Sequence, residues 1–292
     1  MKFGAIDIGT NAARLLVGQV CEADGHSFVK KIAYIRVPLR LGEEVFENNR
    51  ISKKKLEHFT KTIESFRLVS EIFEVTQLRA VATSAMREAK NRKKVIEKIQ
   101  KETDVEIEII SGDEEAELIF STFFLLDFDK SIPFLVIDVG GGSTEISVFE
   151  KGKKVASKSF NVGTIRLLKE KVKADLWTEI HDWITKYVDL SMHHQVFGTG
   201  GNINKIHKLL GASAKDPISL AAIQKFKAEL APLTLDQRVD QFQLKPDRAD
   251  VIVPAMDIYT YIMKEINCNE IRVPKIGLAD GMIYDMYIQH AK

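Results

Sequence analysis

Residues 134–149 read FLVIDVGGGSTEISVF, and residues 3–20 read FGAIDIGTNAARLLVGQV. Each is an apolar run that delivers an aspartate, Asp138 or Asp7, into a glycine-containing turn and then resumes as a second apolar run. Short apolar runs bounded by glycine predict buried strands. A third strand is predicted after each pair, over 27–39 and 154–161. Strand, Asp-Gly turn, strand, strand therefore occurs twice. The spacing predicts an α/β fold made of two structurally repeated domains.

Working outward, Ser52 opens a helical pattern in which Leu56, Phe59, Ile63, Phe66 and Ile72 recur on one face. A strand over 78–82 leads to Thr83-Ser84-Ala85-Met86-Arg87, and a charged helix covers 92–102. A strand over 105–110 runs into Ser111-Gly112-Asp113-Glu114-Glu115-Ala116, the start of a helix reaching 126. The pattern restarts near 127–133. After the second triple, residues 196–197 lead into Gly198-Thr199-Gly200-Gly201-Asn202 and a helix. Helices are predicted over 220–230, 235–242 and 248–265, with a strand at 271–273. Gly277-Leu278-Ala279-Asp280-Gly281 introduces the last helix. No low-complexity stretch or long linker separates these elements.

The 292 residues, 45% hydrophobic and 28% charged, suit two globular domains. A net charge of +1 argues against a broadly basic nucleic-acid coat and leaves a local basic groove open. Cys21 and Cys268 have no metal or redox spacing and fit inert thiols in a reducing compartment. No apolar run approaches the ~20 residues of a membrane span. The expectation is a soluble cytoplasmic protein with no membrane partner and no specific nucleic acid. The seven histidines show no metal-ligand spacing.

Backbone N–H groups freed at a glycine turn can hold phosphate oxygens. A carboxylate beside phosphate repels it, so Asp7 and Asp138 are expected to hold a cation, and magnesium suits a site of few carboxylates, water and phosphate. The plainer alternative is two hairpins with Asp as turn former; its recurrence in matching places favours the functional reading. Gly140-Gly141-Gly142-Ser143-Thr144 is neither GxGxxG nor a P-loop. The acids of Ser111–Glu115 suit a helix N-terminus, and one glutamate can also act as general base on water. Arg87 offers a planar fork to phosphate. The glycines at 198–201 fit an anion cradle or a tight turn equally. The basic runs at 53–55, 92–94 and 151–154 read as solvated faces, with Arg92, Lys93 and Lys94 best placed for a polyanion path.

Together AIDIGTNAARLLV, ATSAMREAKN, IEIISGDEEAELIF, LVIDVGGGSTEISVF, VGTIRL, FGTGGN, DRADVIVPAMDI and GLADGM resemble the exopolyphosphatase / guanosine pentaphosphate phosphohydrolase (Ppx/GppA) family of the actin-like ATPase superfamily. The resemblance implies two ribonuclease-H-like domains facing across a cleft. Their expected extents are 1–125 with the closing helix 279–292, and 126–278. It implies Glu115 as catalytic base, with Arg87 and Glu145 in catalysis. Asp7 and Asp138 would associate with Mg2+ or Mn2+. Thr10, Asn11, Gly140, Gly141, Gly142, Ser143, Gly200 and Gly201 would contact phosphate. The implied activity releases terminal phosphate from inorganic polyphosphate, with guanosine pentaphosphate as the alternative substrate. SGDEEA speaks against a kinase. The joint presence of Glu115, Asp138 and Arg87 speaks against a non-catalytic binder, which Ala12 keeps open. The family commonly has serine at the position of Ala12, so one phosphate hydrogen bond is expected to be missing. Longer relatives carry a helical C-terminal domain that lengthens the polyphosphate channel, so a short substrate is expected here. A homodimer stays open.

Overall fold

The computed structural model of the protein describes residues 1–23, 26–126, 128–213 and 216–291. The chain divides into two compact units, Met1–Asp127 with Ile276–Lys292, and Phe128–Lys275. Asp127, where the sequence pattern restarts, and Lys292, the end of the expected closing helix, lie outside the described residues.

Unit 1 opens with β1 (Phe3–Ile8), whose six residues are all buried, Asp7 among them. A four-residue turn reverses the chain into β2 (Ala13–Ala23), with Ile8 opposite Ala13 and Asp7 opposite Arg14. β3 (His26–Val37) adds antiparallel to β2. Then come α1 (Leu41–Asn48) and α2 (Lys53–Ile72). The Ser52 hydroxyl accepts from the Lys55 amide and caps α2. Phe59, Ile63 and Phe66 of the expected stripe are buried, whereas Ile72, in the last turn of the helix, is 78% exposed. β4 (Gln77–Ala82) lies parallel to β1 and leads to α3 (Ser84–Glu88) and α4 (Arg92–Thr103). β5 (Ile107–Ile109) lies parallel to β4, and α5 (Gly112–Ser121) follows, shorter than the sequence pattern because a 3-10 turn over Thr122–Leu125 ends it. The strand order is β3-β2-β1-β4-β5, that of a ribonuclease-H-like sheet. The helix Leu278–Ala291 returns to this unit and packs on α5, β1 and β2.

Unit 2 repeats the scheme. β6 (Phe134–Val139), β7 (Thr144–Glu150) and β8 (Lys153–Phe160) form an antiparallel meander. α6 (Thr164–Leu168) and α7 (Leu176–Tyr187) lead to β9 (Gln195–Thr199), parallel to β6. The sheet order is β8-β7-β6-β9. α8 (Gly201–Leu209) precedes β10 (Ile218–Ser219), α9 (Leu220–Leu230) and α10 (Leu235–Phe242). The helix expected over 248–265 is two: α11 (Pro246–Ala249) and α12 (Ile252–Glu265). β11 (Glu270–Ile271) pairs with β10, and Arg272 bridges to Phe197 of β9. Leu135, Ile137, Ile146, Val148, Ile258 and Tyr259 form part of this unit's own apolar core. The closing helix Leu278–Ala291 is α13.

In both units the parallel strands end on the same side of their sheet. The C-terminal ends of β1, β4 and β5 carry the Gly9 turn, Thr83–Arg87 and Ser111–Glu115. Those of β6 and β9 carry the Gly140 turn and Thr199–Gly201. This edge of an open α/β sheet is where ligands characteristically bind.

Candidate active site

Unit 1 places Asp7 at the end of β1, where cross-strand register sets it opposite Arg14; the two side chains form an ion pair, with Asp7 7% and Arg14 24% exposed. The next turn is closed by Gly9 N donating to Ala12 O (3.1 Å). The carbonyls of Thr10 and Asn11 accept from the amides of Gly42 (3.1 Å) and Arg40 (2.8 Å) at the start of α1. Ala12 is fully buried. Arg87, on α3, donates through Nη1 to Ile110 O (2.8 Å) and lies 3.5 Å from Glu115 Oε2. Its Nη2 and Nε have no protein partner among the described residues, so one edge of the fork remains for a ligand.

Glu114 and Glu115 part company at the first turn of α5. The Glu114 carboxylate accepts from Ser111 N (2.7 Å) while Ser111 Oγ accepts from Glu114 N (3.1 Å), a capping box. The hydrogen bond from the Ser111 backbone, then that from its side chain, hold Glu114 below the usual carboxylate range. Glu115, 13% exposed, points instead to Arg87.

Unit 2 sets four polar residues in one row across its sheet. Register places Ser159 opposite Glu145, Glu145 opposite Asp138, and Asp138 beside Thr199. Register partners share a face. Ser159 Oγ donates to Glu145 Oε1 at 2.6 Å. The Thr199 hydroxyl, 1% exposed, has no partner among the described residues, and its carbonyl accepts from Tyr259 Oη (2.8 Å). Burial first, then the charge of Asp138, push the Tyr259 phenol well above its ordinary value. Gly200 adopts φ 94°, and a Cβ there would lie 2.5 Å from Asp138 Oδ1. The close approach of the carboxylate thus requires glycine at this position.

The turn after β6 is closed by Gly140 N donating to Ser143 O (2.9 Å). Its carbonyls are all engaged. Gly140 O accepts from Thr164 N (3.0 Å), and Gly141 O from the amides of Ile165 (2.8 Å) and Arg166 (3.1 Å). Gly142 O accepts from Arg166 Nε (2.8 Å). The amides of Gly141, Gly142 and Ser143 have no acceptor among the described residues, although all three residues are buried. Buried orphan N–H groups in a concave turn are an anion-binding arrangement. The second turn is held in a related way, with Arg248 Nη1 donating to Gly201 O (2.6 Å).

Within unit 1 the fold brings together Asp7, Thr10, Asn11, Arg87 and Glu115 along one sheet edge. Within unit 2 it gathers Asp138, Gly140–Ser143, Glu145, Gly200 and Gly201. Sequence reasoning gave no role to Arg14, Arg166, Thr199 or Arg248. Arg14 was within reach of it, since a four-residue turn after Ile8 puts residue 14 opposite residue 7. Arg166 and Arg248 act on carbonyls 24 and 47 positions away, which no local pattern reports.

Two ribonuclease-H-like units, each with a glycine-containing turn after its first strand, define an actin-like ATPase fold. The chain belongs to the Ppx/GppA phosphatase family, whose profile matches residues 20–290. By that membership it is a phosphoanhydride hydrolase. It is 33% identical over 169 residues to the bifunctional 3-dehydroquinate synthase/phosphatase of Fusobacterium nucleatum, covering 56% of this chain and 25% of that protein. With exopolyphosphatase 1 of Mycobacterium tuberculosis it shares 23% identity over 303 aligned positions, 97% of this chain and 87% of that one. The crystal structure of an exopolyphosphatase from Cytophaga hutchinsonii has the same fold, with a TM-score of 0.83 at 22% identity, covering 99% of this chain and 98% of that chain.

Proposed function

We propose that this chain releases terminal phosphate from inorganic polyphosphate, with Glu115 taking a proton from the attacking water. The observation that carries the reading is the buried turn of unit 2, whose carbonyls are bound and whose three amides face no acceptor among the described residues. Such a turn suits phosphate oxygens, and relatives named exopolyphosphatase supply the substrate. Arg87 presents its remaining edge to a phosphate and, where it does, loosens its hold on Glu115. Glu114 is not the base, because its carboxylate is committed to the cap of α5.

A divalent cation fits unit 2. Asp138 and Glu145 stand opposite one another on the same face of adjacent strands, and like charges so placed favour a cation between or beside them. Among the described residues no group of three or more His, Cys, Asp or Glu stands together; magnesium takes one or two carboxylates with water and substrate phosphate as its other ligands. When bound, magnesium neutralises charge on the phosphate oxygens. Asp7 does not fit a direct ligand, because Arg14 already neutralises it.

The test is phosphate release from polyphosphate, guanosine pentaphosphate and ATP by one purified sample, with magnesium and then with excess EDTA. Polyphosphate is expected to be cleaved fastest, and only with metal. Full activity in EDTA would sink the metal assignment. A preference for guanosine pentaphosphate would move the substrate to the nucleotide.

A further inference from the structure

We infer that Arg166 is a positioning residue: with the backbone that opens α6, it aims the three amides of the unit 2 turn at the phosphate. This rests on the phosphate role proposed for that turn. In a trans peptide the C=O and the following N–H lie in one plane and point in opposite directions. Fixing a carbonyl therefore fixes the direction of the next amide. The bond from Thr164 N to Gly140 O sets the Gly141 amide, and the bonds from Ile165 N and Arg166 N to Gly141 O set that of Gly142. The bond from Arg166 Nε to Gly142 O sets that of Ser143.

Two observations show that this support is built for the turn. Gly163 lies so close that a Cβ there would sit 2.4 Å from Gly142 N and 2.5 Å from Gly141 C, backbone atoms that have no rotamer to escape into. Arg166 is 8% exposed, a burial that long cations accept only for specific bonding. In unit 1 the turn carbonyls of Thr10 and Asn11 accept from the main-chain amides of Gly42 and Arg40. In unit 2 the carbonyl of Gly142 takes a charged donor, Arg166 Nε. A charge-assisted bond is shorter and stronger than a neutral one, so it holds the peptide plane more firmly against the pull of a departing product.

The experiment follows amide resonances of Gly141, Gly142 and Ser143 in the full chain during titration with inorganic phosphate, alongside kcat and KM on polyphosphate. In the wild type all three should shift. Arg166→Gln should keep the fold, bind phosphate at least tenfold more weakly, lose the Ser143 response and raise KM more than it lowers kcat. A folded Arg166→Gln variant with wild-type phosphate affinity and an unchanged Ser143 shift would overturn the inference. Where that variant does not fold, Arg166→Lys is measured in the same way. Its ammonium cannot reproduce the planar guanidinium, and a threefold or greater loss of affinity is expected, while wild-type behaviour overturns the inference. Absence of any amide shift in the wild type would instead remove the phosphate reading of the turn itself.

Discussion

Glu114 and Glu115 are adjacent in sequence, yet one is tied to Ser111 and the other lies beside Arg87. Glu115→Gln should therefore lower kcat by ~10²–10⁴, the usual loss on removing a positioned base, while substrate binding survives. Glu114→Gln should leave kcat within a few fold, and single-turnover assays of the pair decide between them. The depressed Glu114 carboxyl also has a stability signature. A lowered folded pKa contributes stability that is present above the ordinary carboxylate value and is lost as pH falls through the depressed one. The stability gap between wild type and Glu114→Gln should therefore close on acidification, as denaturation at several pH values will report. Arg87→Lys keeps the charge and loses the fork, so kcat/KM should fall by at least tenfold, about 1.4 kcal/mol. A lysine variant within twofold would make Arg87 a structural link to Ile110 only. Asp138→Asn should raise the magnesium concentration for half-activity. Asp7→Asn should leave that concentration unchanged, because its partner is Arg14.

At the scale of the element, legibility followed the range of the interactions. The strand-turn-strand units were readable because buried strands are written as apolar runs and reversals as glycine. The cap of α5 was readable as well, from Ser111 and the acids behind it. α7 was readable and went unread: Leu176, Ile180, Trp183 and Ile184 recur at helical spacing on its buried face. α3 and α6 have 5 residues each, too short for periodicity to declare itself. The break between α11 and α12 fell inside a continuous helical pattern. The two arginine bonds to turn carbonyls come only from tertiary structure. One readable feature links an element to catalysis. Ser111→Ala removes the acceptor for the Glu114 amide and should cost about 1 kcal/mol. Because the same turn carries Glu115, kcat should fall too, at unchanged KM. Full activity in a destabilised Ser111→Ala would show that the cap holds the helix without placing the base.

At the scale of the molecule, unit 1 is assembled from two segments separated by the whole of unit 2. Its return is secured at the start of α13, where Asp280 Oδ2 accepts from Gly277 N (3.1 Å) and from Lys31 Nζ (3.0 Å) of β3. Asp280 is 5% exposed. Burial raises its pKa, and Lys31 offsets only part of that rise. A raised folded pKa contributes stability that is complete below the unfolded value and is lost as pH rises through the folded one. The ionised Asp280 is thus a cost to unit 1 at neutral pH, which Lys31 first and then the Gly277 amide reduce. Lys31→Met should destabilise unit 1 at pH 7 and do so progressively less toward pH 4, where Asp280 takes up a proton and no longer needs a cation. Asp280→Asn should remove that pH dependence from the Lys31→Met effect. Both tryptophans, Trp177 and Trp183, belong to unit 2, so their fluorescence reports that unit. The measurement for unit 1 is hydrogen exchange of the β1 and α13 amides in the two single variants and the double variant. A Lys31→Met loss of protection that is equal at pH 4 and pH 7, after correction for intrinsic exchange, would mean that Lys31 acts by packing and not by charge.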